Sequence, residues 1–106
     1  MDIVEAQRCA DRGDFRGWAL AHLRSRQKYR GMKLNLAVDV DCELMFRIYQ
    51  ACPQGYEVDH IFPMPKGEHR PENLQYLLPL VNARKARKTV FSYKPGDRIR
   101  WQDVLT

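Results

Sequence analysis

The sequence predicts an α+β fold, and three observations carry that prediction. Apolar residues recur at helical spacing through the first half of the chain. A short β-like run, Tyr56, Glu57 and Val58, follows a break at Cys52-Pro53-Gln54-Gly55. A second, largely apolar run then occupies residues 74–80. The 106 residues suit one domain with a modest core. It reads as a mainly helical brace over 1–54, a compact motif over 55–88 and a closing tail over 89–106.

Residues 2–30 read as helical with a break at Gly13. Ile3, Val4, Ala6 and Cys9 make a short apolar face before that break. Asp14 is a suitable N-cap for a second helix running to about residue 30, with Phe15, Trp18, Ala19, Leu20 and Leu23 as its inner stripe. His22, four residues after Trp18, reads as a histidine at the edge of the core or on the surface. Residues 32–38 alternate polar and apolar, as a short strand or an extended linker would. Asp39 or Asp41 then caps a third helix that reaches about residue 52, with Leu44, Met45, Ile48 and Tyr49 facing inward. The tail has the shape of a small closing hairpin or of a strand plus a turn: Val90, Phe91 and Tyr93 suggest one strand, residues 94–97 a turn, and Ile99 and Trp101 a second. Trp101 is expected to cover the core.

Apolar residues at 44% and charged residues at 29% are ordinary for a globular soluble chain. The net charge of +5 leans toward an acidic partner. No apolar run approaches the ~20 residues of a membrane span. The acidic start lacks the charged-then-apolar pattern of a signal peptide, so a cytoplasmic location is expected. Cys9, Cys42 and Cys52 are odd in number and form no Cys-x-x-Cys pair, so they read as buried small hydrophobes, with neither a disulfide framework nor a structural zinc.

The chemistry concentrates in residues 55–88, GYEVDHIFPMPKGEHRPENLQYLLPLVNARKARK. Asp59 and Asn82 offer hard oxygen atoms suited to Mg²⁺ or Mn²⁺. His60 can take a proton from water near neutral pH. Adjacent strand residues point to opposite faces, so Asp59 and His60 share one site only if the chain bends between them. Pro79 fits the first turn of a helix, which places Asn82 and Lys85 on one face and Arg84 and Arg87 on an adjacent one. The cations Arg84, Lys85, Arg87 and Lys88 can hold a polyanion, as can Arg26 and Arg30 at the end of the second helix. His69 lies among charged residues in the loop, where it reads as solvated or as a contact beside a phosphate.

These residues resemble the HNH endonuclease motif in three blocks, VDHIFP, ENLQYL and the N-x-x-K of Asn82 to Lys85. The pairing of GY-x-VDHI-x-P with NLQYL further resembles small HNH proteins of bacteriophages. The resemblance implies a ββα-metal, or His-Me, finger: a β-hairpin and a helix around one metal. It implies His60 as general base, Asp59 and Asn82 as metal ligands, and Asn73 as the residue that fixes the hairpin loop and so aims His60. It also implies Lys85 as a phosphate contact.

The expected function is therefore metal-dependent hydrolysis of DNA, double-stranded in the first instance, with one Mg²⁺ that Mn²⁺ can replace and with weak sequence specificity. If the chain is phage-encoded, its compartment is the host cytoplasm. The alternative is a non-catalytic module of the same fold that binds nucleic acid or a host factor. The motif specifies neither nicking nor double-strand cutting, and neither an oligomeric state nor a phage or host protein partner.

Overall fold

A computed structural model describes residues 2–25, 36–64 and 66–105. Arg26, Arg30, Pro65 and most of the alternating segment 32–38 lie outside the described residues. The chain divides into two compact units, Met1–Arg47 and Ile48–Thr106. The described elements are α+β: four α-helices and a three-stranded antiparallel sheet. No helix among the described residues is long and apolar enough to cross a membrane.

In the first unit, α1 (Asp2–Asp11) packs against α2 (Phe15–Ser25). Gly13 ends α1 because its φ of +80° lets Asp14 N–H return to the Cys9 carbonyl at 2.8 Å and Gly13 N–H to Ala10 at 3.0 Å. Asp14 then caps α2, its carboxylate accepting the Gly17 N–H at 2.9 Å. Ala6 and Cys9 are buried, but Ile3 and Val4 in the first turn stay 64% and 45% exposed, so the predicted apolar face narrows to its two small residues. Trp18, Ala19, Ala21 and Leu23 form the buried stripe of α2. His22 stacks on Trp18 with ring centroids 5.0 Å apart.

Asp41 caps α3 (Cys42–Gln50), accepting the Leu44 N–H at 3.0 Å. Phe46 brings its ring within 5.3 Å of both Phe15 and Trp18. The Arg16 guanidinium donates to the Leu36 and Ala37 carbonyls at 2.6 and 3.0 Å, pinning the chain that leads into this helix.

In the second unit, β1 (Glu57–His60) and β2 (Leu74–Leu77) form an antiparallel hairpin followed directly by α4 (Pro79–Lys85). Register pairs Asp59 with Gln75 and His60 with Leu74. Pleating therefore puts Glu57, Asp59, Gln75 and Leu77 on one face and Val58, His60, Leu74 and Tyr76 on the other. All four β2 residues are buried, as expected of a strand covered on both sides. On the second face, Tyr76 donates its hydroxyl to the Ile48 carbonyl at 2.5 Å.

Of the shapes expected for the tail, the turn and one strand form, but not the closing hairpin. Residues 89–94 form no strand, and Val90 is 86% exposed. The turn over 95–97 does form, with Asp97 accepting the Lys94 N–H at 2.9 Å. It delivers β3 (Arg98–Ile99) to the open edge of β2, in the order β1-β2-β3. An unpaired strand edge is a set of unsatisfied N–H and C=O groups, and it competes with local hairpin closure for the same segment. Trp101 belongs to a 3₁₀ turn, not a strand, and donates its indole N–H to Pro71 at 2.9 Å.

Burial pushes the Tyr76 phenol up to about 12 from an ordinary 10.0. The folded state thus favours the neutral phenol, and its contribution is complete below pH 10 and lost as pH rises through 12. In urea titrations, the wild type should lose more stability over that interval than Tyr76→Phe; parallel losses would assign the alkaline weakening to other groups.

Candidate active site around the hairpin

The first polar cluster lies on the Asp59 face. Lys85, at the last position of α4, is 1% exposed, and its ammonium lies 3.2 Å from Asp59 Oδ2 and 2.9 Å from the His60 carbonyl. Gln75, directly across the ladder from Asp59, donates Nε2 to the same Oδ2 at 2.9 Å. That amide group also lies 3.0 Å from the Tyr93 hydroxyl. Asn82, one turn before Lys85, donates Nδ2 to Glu57 at 2.6 Å. Asn82 and Lys85 thus both face β1, one meeting Glu57 and the other Asp59.

This geometry corrects the reading of Lys85 as a phosphate contact. A solvated lysine in a cationic run can reach a phosphate, whereas this one is enclosed and already neutralised. Glu57 was overlooked at the sequence level, although the two-residue period of a strand puts it on the same face as Asp59.

The second cluster lies on the other face. The ladder continues through His60 to the Ile61 N–H, which donates to Asn73 at 2.8 Å, so β1 does not bend between Asp59 and His60. The expected bend is absent because the pairing with β2 is unbroken there, and the two side chains leave the strand on opposite sides. His60 Nε2 meets His69 Nδ1 at 2.9 Å, and the His69 ring packs edgewise on Tyr49 at 6.2 Å. His69 is 2% exposed, which removes it from the phosphate-contact set. One ring of this pair donates and the other accepts, so each fixes the tautomer and orientation of its neighbour.

Asn73 organises the loop between the strands. Its Oδ1 accepts the Phe62 N–H at 2.8 Å, and its Nδ2 donates to the Phe62 and Glu68 carbonyls at 3.0 and 2.8 Å. One amide therefore ties both ends of the loop. Gly67 is required beside it, because a Cβ there would collide with the Phe62 carbonyl.

Of the predicted surface cations, Arg84, Arg87 and Lys88 are exposed. Arg87 and Lys88 lie beyond α4, which ends at Lys85 where Ala86 adopts a φ of 47°. The three cysteines are free thiols, and burial raises the pKa of each. That shift makes them poor nucleophiles and poor ligands near neutral pH.

Oxygen atoms that could meet a divalent cation lie on the Asp59 face. The hydrogen bond and ion pair to Asp59 both fall on Oδ2, and Oδ1 has no partner among the described residues. Gln75 Oε1 is buried without a hydrogen-bond partner. Such an acceptor costs about 1–3 kcal/mol unless water or a cation meets it. No three His, Cys, Asp or Glu side chains among the described residues converge as a metal cluster. A site built from one carboxylate and one amide lies outside that criterion. The oxygen atoms fit a hard cation; the Lys85 ammonium opposes it.

Lys85→Met should lower the unfolding free energy by about 3–5 kcal/mol, because it leaves the Asp59 carboxylate buried and unpaired. Adding Asp59→Asn should restore part of that loss. Chemical denaturation of the single and double variants reads both effects, and additive losses would mean that the pair is not coupled.

No protein-family model, no curated protein and no solved structure matches this chain, so its chemistry has to be read from these side chains.

Proposed function

We propose that the chain is a metal-dependent DNA endonuclease of the HNH type, with the hairpin and α4 as its ββα-metal finger. The observation that carries this reading is the hairpin-then-helix unit, in which Asn82 of α4 meets Glu57 on the face of β1 that also carries Asp59, while Asn73 clamps the loop that follows His60. A divalent cation, Mg²⁺ with Mn²⁺ as substitute, would supply charge neutralisation at the scissile phosphate. Asp59 and Asn82 would hold it, with Gln75 Oε1 as a further acceptor on the same face.

His60 would take the proton of the attacking water, and His69 would hold the imidazole in the tautomer that accepts it. Asn73 sets the loop through its three hydrogen bonds and so limits how far the end of β1 can move. The exposed Arg84, Arg87 and Lys88 would grip the DNA backbone, a contact that carries no sequence information.

A second reading is a non-catalytic module of the same fold that binds nucleic acid or a protein factor. Specific observations favour it: Lys85 already neutralises Asp59, and His60 is buried on the opposite face in a closed pair with His69.

Supercoiled plasmid incubated with Mg²⁺, Mn²⁺ or EDTA separates the two. The nuclease reading expects open circles that require the metal. It expects His60→Ala to slow cleavage by on the order of 10²–10⁴ while DNA affinity is retained. Asp59→Ala should shift the Mg²⁺ titration to higher concentration. No cleavage with any metal, alongside a gel shift that fades with salt, transfers the case to the binding module.

A further inference from the structure

Between positions 84 and 100 the chain carries seven Lys or Arg and a single Asp, so the positive charge behind the chain's net +5 is concentrated there. Within that stretch two cations sit on aromatic rings. The Arg98 guanidinium lies over Tyr93, 4.6 Å from the ring centroid, and the Lys88 ammonium lies over Phe91 at 5.7 Å. The two rings pack against each other at 5.3 Å. The four residues therefore form a row, Lys88–Phe91–Tyr93–Arg98, with both cations exposed.

Several other cations of the molecule are already committed. Arg70 pairs with Glu68, and Arg12 with Glu5 and Asp14. Arg16 is spent on backbone carbonyls and Lys85 on Asp59. Neither Lys88 nor Arg98 has a carboxylate partner among the described residues; each is held by a ring alone. A guanidinium stacked on a ring keeps its in-plane N–H edge open, and that edge matches phosphate oxygens.

The row is also tied to the hairpin. The Gln75 side chain that donates to Asp59 lies 3.0 Å from the Tyr93 hydroxyl, so the ring under Arg98 stands two hydrogen bonds from the Asp59 carboxylate.

We propose that the Lys88–Phe91–Tyr93–Arg98 row is a track for the DNA phosphate backbone, on which two ring-held cations seat phosphates beside the Asp59 face. The proposal rests on the reading of DNA as substrate and extends it to a named contact surface. Because the ring faces are occupied by cations and by each other, the track reads phosphates and not bases. Sequence-independent binding follows.

Fluorescence anisotropy with a labelled duplex oligonucleotide in EDTA, over a series of salt concentrations, tests it without any need for cleavage. The variants are Arg98→Gln, Lys88→Gln, Tyr93→Leu, Tyr93→Phe and, as a control for net charge, the exposed Arg8→Gln on α1, each checked by circular dichroism and thermal melting. Arg98→Gln and Lys88→Gln should each flatten the slope of log K against log salt by roughly 0.9, equivalent to an affinity loss of about eightfold near ~0.1 M salt. Tyr93→Leu keeps the charge and loses the seat, so affinity should fall with a smaller change of slope, and Tyr93→Phe should restore it.

Slopes for Arg98→Gln and Lys88→Gln equal to that of Arg8→Gln would overturn the track. Retention of binding by heparin but not by duplex DNA would overturn it as well. Failure of plasmid cleavage with these slopes intact would instead sink the nuclease reading and leave the track standing.

Discussion

Lys85 is 1% exposed, and a charge at that depth is tolerated only because two acceptors of β1 meet it, the Asp59 carboxylate and the His60 carbonyl. Much of the second unit depends on this contact. The seven residues of α4 are far too few to hold a helix by themselves. Pro79 presets its first turn, Val81 is buried, and Asn82 and Lys85 fasten its later turn to β1. The helix ends at the residue that makes the deepest contact, and Ala86 in the left-handed region turns the chain away.

That anchor also constrains any chemistry at Asp59. A carboxylate with an ammonium at 3.2 Å is electrically satisfied. A divalent cation would have to compete with Lys85 or use the free Oδ1. Two like charges about 4 Å apart cost roughly 4 kcal/mol per unit-charge pair in a partly screened site. Movement of the lysine toward solvent relieves that cost, and its position at the end of α4, beside a turn, is where a helix frays most readily. The buried Oε1 of Gln75 marks the same face as incomplete, since a satisfied core leaves no acceptor of that kind without a partner.

The elements that were legible in the sequence are those set by neighbouring residues. Gly13 with Asp14, Asp41 before α3 and Pro79 at the start of α4 each act within one helical turn, and each marks the boundary it was read to mark. The apolar run over residues 74–80 supplied β2, all four residues of which are buried. Long-range contacts were not legible. Lys85 belongs to a run of cations that looks solvated, and only the ladder position of Asp59 across from Gln75 discloses its burial. His69 looks solvated among Lys66, Glu68 and Arg70, yet the loop folds it under Tyr49 and onto His60. The tail was misread for a related reason: β2 offered residues 98–99 a longer-range partner than residues 90–93 could provide.

The two polar clusters stand on opposite faces of β1, which at first separates Asp59 from His60. Lys85 bridges them, because one ammonium donates to the side chain of Asp59 and to the main chain of His60. Whatever draws the lysine off the carboxylate also frees the His60 carbonyl at the last residue of the strand. The loop beyond cannot absorb that change by drifting, since Asn73 ties it at Phe62 and Glu68. Any relaxation would therefore fall on the end of β1, between the His60–Leu74 pair and the clamp at Phe62. One lysine thus ties the Asp59 side chain on one face of β1 to the peptide group of His60, whose side chain lies on the other.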